Sequence, residues 1–320
     1  MGGVATAVLA LSGGVGGAKL ALGLADALTP GLLHVLVNTA DDFQHLGLHI
    51  SPDIDTLLYT LSGNANAAQG WGLEGESWHV MDALQRLGGD TWFRLGDRDL
   101  ATHLRRTGLL SGGAGLIEVT DLLRRQLGIA SHVHPMSDAP VRTIVHCHGR
   151  DLPFQHYFVK EQCAPAVTGF SFEGMAQAQP NENVLQLLNS GTVAAIVVCP
   201  SNPFVSVDPI LQVPGMWQAL RDHVAPVVLV SPIVAGMAIK GPTAKMMAEM
   251  AMPVTSLGVA QHYCRHYPGL LNYFVIDESD ATLAGDIAAL GVEVAVTATV
   301  MKSREDKQRL ARFTLALAGA

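Results

Sequence analysis

An α/β fold is predicted: a Rossmann-like parallel sheet sandwiched by helices, with an inserted, mainly helical region. Three observations in the 320-residue sequence predict it. Wholly apolar runs at 4–11, 193–199 and 227–230 read as strands buried on both faces, the habit of parallel sheets. Segments with apolar residues at helical spacing alternate with them, as βα units require. The first run ends in a glycine cluster that leads into a helix, Ser12-Gly13-Gly14-Val15-Gly16-Gly17.

Each element follows in order. Residues 18–28 place Leu20, Leu24 and Leu28 on one helical face, and 32–37 again reads as a strand. Residues 39–55 form a polar loop, with a helix starting after Asp55. The glycine- and asparagine-rich stretch 64–77 reads as an ordered loop, and helical patterns follow at 79–87, 98–107 and 115–127. Strands are expected at 141–148 and 154–159 with a turn between them, then a short helix at 183–189. The strand at 193–199 ends in the loop Pro200-Ser201-Asn202-Pro203. A helix at 216–221 precedes the strand at 227–230, and the loop 231–242 leads into another helix. A strand at 271–276, a helix at 282–289, a strand at 292–298 and a closing helix at 303–318 complete the chain. The core therefore comprises 1–60 and 136–320 and carries the phosphate-binding loops; 61–135 is the helical insertion.

Composition excludes several classes. The chain is 49% apolar and only 15% charged, the opposite of a disordered segment. Its net charge is −8 and its basic residues occur singly or in pairs, so no nucleic-acid partner is expected. The first apolar run lacks a basic flank and passes straight into glycines, which fits a strand and not a secretion signal. Residues 193–200 are too few to span a bilayer, and no membrane partner is expected. The cysteines at 147, 163, 199 and 264 share no metal or redox spacing, which suits a reducing, cytoplasmic setting.

Several groups of residues carry chemistry. Glycines after a first strand let backbone N–H groups and a helix N-terminus approach a phosphate; Ser12 to Gly17 and the following Lys19 form such a loop. It lacks both the GK[ST] ending of a Walker loop and the dinucleotide spacing. The competing reading is a tight turn without ligand. Asn38-Thr39-Ala40-Asp41-Asp42 follows the second strand, and Ser51-Pro52-Asp53-Ile54-Asp55 comes soon after. Carboxylates beside a phosphate loop suit Mg²⁺, although Asp55 also fits a helix cap and Asp53 a turn. Arg98 in Gly96-Asp97-Arg98-Asp99 offers a planar donor fork, with Arg94 and His103 nearby; a solvated helix start fits equally. Ser137 and Asp138, between two prolines, suit recognition of a base edge or a plain turn. Ser201 and Asn202 suit phosphate or ribose, and Lys240 and Lys245 suit phosphate charge. His262, Cys264 and His266 resemble a soft metal site without a fourth ligand, so zinc is not expected.

The ordered set SGGVGGAKL, NTADDF, ISPDIDTLLYTL, RLGDRDLATHL, PMSDAPVRT, PSNPFVSVDPIL and SPIVAGMAIKGPTAKMM resembles the 2-phospho-L-lactate transferase family, from residue 12 to about 280. The resemblance implies a Mg²⁺-dependent enzyme of deazaflavin coenzyme (F420) biosynthesis, commonly a homodimer. It implies transfer of a phospho-acid from a guanosine diphosphate-linked donor to the deazaflavin FO (7,8-didemethyl-8-hydroxy-5-deazariboflavin), with release of GMP. The acid is phospholactate, phosphoenolpyruvate or 3-phosphoglycerate. It assigns Ser12 to Gly17 to phosphate, Asp41, Asp42, Asp53 and Asp55 to metal, and Asp53 or Asp55 to catalysis. Asp53 and Arg98 fall to the deazaflavin, with the insertion contributing to that acceptor site. Ser137, Asp138, Ser201 and Asn202 fall to the nucleotide. A non-catalytic nucleotide-sugar-binding regulator of the same superfamily is the alternative; the SPDID and GDRD motifs favour the enzyme.

Overall fold

The computed structural model describes residues 6–66, 69–238 and 241–320. In chain order its strands are β1 (Ala7–Ser12), β2 (Leu33–Val37), β3 (Phe43–His45), β4 (Leu48–Ile50), β5 (His132–Pro135), β6 (Arg142–Cys147), β7 (Arg150–Pro153), β8 (Val167–Glu173), β9 (Val193–Val198), β10 (Val227–Val230), β11 (Ile233–Val234), β12 (Met237–Ala238), β13 (Tyr273–Ile276) and β14 (Glu293–Val296). The helices are α1 (Gly14–Ala27), α2 (Pro52–Leu61), α3 (His79–Arg86), α4 (Asp97–Ser111), α5 (Leu116–Gln126), α6 (Glu182–Asn189), α7 (Asp208–Gln212), α8 (Met216–Arg221), α9 (Thr243–Glu249), α10 (Ser256–His266), α11 (Ala284–Ala288) and α12 (Arg304–Ala318).

Seven strands form one sheet in the order β14-β13-β10-β9-β1-β2-β5, and every pairing is parallel. Side chains alternate between its faces. Val8 and Ala10 enter a core built with α1, α2, α5 and α12, while Leu9 and Leu11 enter the core on the other face. All six residues of β1 are buried, which is why that strand reads as a continuous apolar run. A smaller antiparallel sheet, β7-β6-β8, covers the second face.

The chain leaves β1 for β2 on one side, and β9 pairs with β1 on the other. This reversal opens a crevice at the carboxyl ends of β1 and β9, where open α/β sheets bind ligands.

Several expectations are corrected. The helix expected after Asp55 begins at Pro52, whose fixed φ suits a first turn, so Asp53 and Asp55 lie inside the helix. The polar loop 39–55 contains the hairpin β3–β4, paired from Phe43–Ile50 to His45–Leu48; its alternation is too short to stand out in sequence. The strand expected at 154–159 is absent. Its place is taken by a single π-helical turn, His156–Lys160, while the residues Arg150–Pro153 form the strand β7. Tyr157 is buried and lies in the core on the second face, so packing overrode the β-preference of its neighbours. Strand β5, in the central sheet, occupies the last residues of the span read as helical insertion.

One edge feature predicts a pH effect. His34 on β2 stacks on His132 (4.4 Å between centroids) and faces His134 on β5, with His34 Nδ1 3.0 Å from His134 Nε2. Burial, then the neighbouring imidazoles, push His34 down to about 4 and His134 down to about 3; Arg124 pushes the same way and Asp121 opposes it at His134. The unfolded chain protonates these rings near pH 6.5 and the folded one only well below that. Between those values the unfolded state binds more protons, so stability present above pH 6.5 is lost as pH falls towards 3. Thermal melts from pH 7 to pH 4 are expected to show a shallower decline for His134→Gln than for the parent chain. Equal slopes would remove the imidazole stack as a cause.

Candidate active site

The glycine loop is the N-terminus of α1. Gly13 is its N-cap, and Gly14 takes φ +63°, a left-handed value that side chains other than glycine resist. Close approach explains the next glycines. A Cβ on Gly16 would sit 2.3 Å from the Pro200 carbonyl oxygen, and one on Gly17 2.6 Å from Ser201 Oγ. The loop is therefore wedged against the β9 loop across the crevice. Ser201 Oγ accepts from Gly13 N–H at 3.2 Å. The first-turn N–H groups of Val15 and Gly16 belong to the set that an α-helix leaves without intrahelical acceptors, at its positive end. Gly16→Ala is expected to drive these two loops apart, at a cost of ~1–3 kcal/mol in stability. Turnover should fall roughly a hundredfold through misplacement of the bound group. A thermal melt and an initial-rate assay read the two effects separately.

Asp53 joins this loop to the acidic one. One carboxylate oxygen accepts from Gly14 N–H at 2.7 Å, and the other from Asn38 Nδ2 at 2.9 Å. Asn38 is fully buried, donates also to the Val205 carbonyl (3.1 Å), and accepts from Ala40 N–H (2.9 Å). Burial raises Asp53 to about 6 despite these hydrogen bonds. Asp41 is raised well above the usual carboxylate range, first by burial and then by the charge of Asp53; Thr143 Oγ1, donating at 3.2 Å, opposes the shift. Asp42 accepts from Ser51 Oγ (2.7 Å) and lies 3.0 Å from His49 Nε2, both through Oδ2. Its buried Oδ1 has no partner among the described residues. These three carboxylates crowd one side of the crevice.

Asp55 is committed elsewhere. Two positions after Asp53 on a helix is about 200° around the axis, so the two carboxylates diverge. Both oxygens of Asp55 meet the guanidinium of Arg106, one at 3.0 Å from Nη1. Arg106 has no solvent exposure, and His103 Nδ1 stands 3.3 Å from the same Nη1. His103 Nε2 is 3.2 Å from Asp99, which accepts from the Tyr59 hydroxyl. This buried network ties α2 to α4. Arg106 and His103 lie some fifty residues from Asp55 in sequence; His103 was noted only as a neighbour of Arg98, and nothing local linked either residue to Asp55.

Other sequence candidates take local roles. Asp97 caps α3, accepting from Ser77 Oγ (2.7 Å) and from the Val80 and His79 N–H groups. Arg98 is exposed; its N–H donates to Glu76 and its guanidinium to the Glu74 carbonyl. Arg94 stacks on Trp78 at 4.6 Å. Asp138 is exposed and accepts from Ile117 N–H (2.7 Å) at the start of α5, while the buried Ser137 turns its hydroxyl to Ala139 N–H. Asn202 caps the π-helical turn Pro203–Val207, accepting from Phe204 and Val205. Lys19 Nζ donates to the Met301 carbonyl at 3.2 Å. Lys245 pairs with Glu249, and Lys240 lies outside the described residues. His262 is paired with Asp208 at 2.9 Å, and among the described residues no three His, Cys, Asp or Glu side chains form a metal cage. Ser206, which a Cβ on Gly13 would meet at 2.5 Å, and Gln155, reaching the Asp41 carbonyl, were not foreseen.

The profile of a family described as "2-phospho-L-lactate transferase CofD" matches residues 8–307. The chain belongs to this family. This family member is 36% identical to the 2-phospho-L-lactate transferase of Methanosarcina acetivorans, over 97% of its own length and 98% of the relative's. It is also 36% identical to the phosphoenolpyruvate transferase of Streptomyces griseus, with the same coverage. Among solved structures, a UPF0052-family protein of Bacillus halodurans covers 98% of the transferase with a TM-score of 0.66 at 16% identity, a likeness of fold alone. None of the described helices of this transferase is long and apolar enough to cross a membrane.

Proposed function

We propose that this transferase moves a phosphorylated three-carbon acid from a guanosine diphosphate-linked donor to the primary alcohol of FO, giving coenzyme F420-0 or its variant and GMP. Membership of the CofD family supports the reaction class. The observation that carries the reading is Asp53, held by Gly14 N–H and Asn38 so that one carboxylate faces both the glycine loop and the acidic loop.

The diphosphate of the donor lies against the first-turn N–H groups of α1, which meet developing negative charge without reorganising. The FO hydroxyl oxygen attacks the phosphorus that bears the acid, and the bond from that phosphorus to the GMP oxygen breaks. The hydroxyl proton passes to a carboxylate oxygen of Asp53, which Gly14 N–H and Asn38 hold in place as the general base. Ser201 and Ser206 brace the loop from the β9 side.

The family implies Mg²⁺, and the residues present fit it. Magnesium is usually held by one or two carboxylates together with substrate phosphates, not by a full protein cage. Asp41 and Asp53 raise each other's energy when both are charged, and Asp42 Oδ1 is buried without a partner. Asp41, Asp42 and Asp53 would hold the ion; Asp55, spent on Arg106, would not. When bound, the ion neutralises charge on the diphosphate.

The test is mass spectrometry of the products formed from FO, Mg²⁺ and each guanosine-linked donor in turn: phospholactate, phosphoenolpyruvate and 3-phosphoglycerate. GMP and a phospho-acid adduct of FO from one donor are expected. No adduct from any donor would overturn the proposal. Relatives of both printed names match at the same identity, so the donor arms decide the acid.

A further inference from the structure

An open cavity of about 460 Å³ lies between strand β8, the turn Pro203–Val207 with α7, and α10. None of the crevice residues described above lines it. Three of its residues are buried and form its floor: Phe204, Asp208 and His262. Its walls are half-buried and apolar, with Phe170 and Phe172 from β8 and Met250 and Met252 from the stretch between α9 and α10. His266 and Gln212 are exposed and stand at the mouth. A cavity of this size, mostly apolar with a few convergent polar groups, is the usual form of a small-molecule site.

Hydrogen bonds fix the order of those polar groups. His262 Nε2 lies 2.9 and 3.0 Å from the two oxygens of Asp208. An ionised carboxylate only accepts, so Nε2 carries the ring proton. The Tyr267 hydroxyl donates to Asp208 Oδ1 at 3.0 Å and steadies the carboxylate. In the neutral ring, Nδ1 of His262 is then an acceptor. It has no hydrogen-bond partner among the described residues, and it is not sealed in the interior, so it meets solvent. His266, one helical turn on, donates from Nδ1 to the His262 carbonyl at 2.9 Å, which leaves its own Nε2 as an acceptor.

The cavity thus presents acceptors, one carboxylate and aromatic rings, and among the described residues no lysine or arginine lines it. Phe170 and Phe204 stack at 5.9 Å, and Phe204 meets His262 edge-on at 5.0 Å. Ring faces attract a cation, and methionine side chains adapt to the shape of an organic body. An anion would meet the Asp208 carboxylate with no counter-charge.

We propose that this cavity is a binding site for a small organic cation, an ammonium on a compact apolar body, separate from the substrates of the transfer reaction. The ammonium N–H donates to His262 Nδ1, and Asp208 balances its charge through the imidazole. The body lies on Phe170, Phe204 and the two methionines. The site does not depend on which donor and acceptor the crevice takes.

Titration calorimetry with benzylammonium tests this at about pH 8, where an ordinary imidazole is neutral. Benzyl alcohol and benzoate, of similar shape, are the neutral and anionic controls. Benzylammonium is expected to bind the parent chain at least ~tenfold more tightly than either. Asp208→Asn and His262→Phe should each weaken it about tenfold, and Asp53→Asn should not. A loss in Asp53→Asn would put the cation at the acidic crevice and overturn the site. So would no binding, equal affinities for the three probes, or unchanged affinity in the folded Asp208 and His262 variants. A measurement on the unsubstituted chain covers the case of a misfolded variant. With methyl-labelled methionine, the Met250 and Met252 resonances, assigned by their loss in Met250→Leu and Met252→Leu, should move with benzylammonium and stay still with benzoate. Methyls unmoved at saturation overturn the proposal. Zn²⁺ is titrated in parallel; Zn²⁺ held through His262, with no benzylammonium bound, overturns the choice of an organic cation.

Discussion

Asp53→Asn is expected to lower turnover ~10²–10⁴-fold, the usual worth of a positioned general base. The substitution is nearly isosteric. Asn retains a carbonyl oxygen to accept from Gly14 N–H, so the coupling of α2 to the glycine loop survives. What it removes is the proton acceptor, one of the charges that crowd Asp41 and, on the other oxygen, the acceptor for Asn38 Nδ2. That crowding makes a second expectation with the opposite sign. A carboxyl raised to about 6 is held in its charged form at neutral pH against the preference of its surroundings. Removing the charge should therefore offset the lost Asn38 hydrogen bond and leave the thermal midpoint little changed while activity collapses. Initial rates with FO, donor and Mg²⁺, beside a melt in their absence, measure both. Near-normal rates would sink the assignment of Asp53 to catalysis.

Arg106→Ala is expected to destabilise the fold by ~3–5 kcal/mol, the range for breaking a buried pair by deleting one partner. Arg106 has no exposure and Asp55 almost none, so the surviving carboxylate would be left buried without its two guanidinium hydrogen bonds. The neighbouring His103 offers it only a longer contact, 3.7 Å. Arg106→Met combined with Asp55→Leu removes both charges and refills the space. It should recover much of the loss, and the non-additivity is the signature of a pair and not of two separate defects. Urea midpoints of the two singles and the double complete the cycle. If each single variant loses less than about 1 kcal/mol, the pair contributes no more than an exposed one would. The same cycle separates the two aspartates of the SPDID motif. Asp55 should act on stability and Asp53 on rate.

That separation marks the limit of what was legible. The parallel sheet, the glycine loop before α1 and the closing helix were readable because each rests on local pattern. β1 is apolar from Ala7 to Leu11 because both faces are covered, and α12 is an unbroken helix from Arg304 to Ala318. The hairpin β3–β4 and the π-helical turn at His156 were not readable, because short strands and single turns are decided by what they pack against. Asn202, expected at the nucleotide, and Arg98, expected at the acceptor, each have an intramolecular partner that local pattern did not show. In the structure the first caps a turn and the second holds a loop. A polar side chain looks the same in sequence whether it serves the backbone, a ligand or both.

By itself, the sequence determined the fold class, the glycine loop after the first strand and the family, since these depend on periodicity, glycine placement and an ordered set of motifs. Tertiary structure decided which carboxylate faces the crevice. Asp53 and Asp55 are two residues apart and chemically alike. Only the helix that starts at Pro52 turns one towards Gly14 and the other into Arg106. The physical reason is that a charge's role is set by its partners in space, and Arg106, fifty-one residues away, is a partner that no local pattern reports.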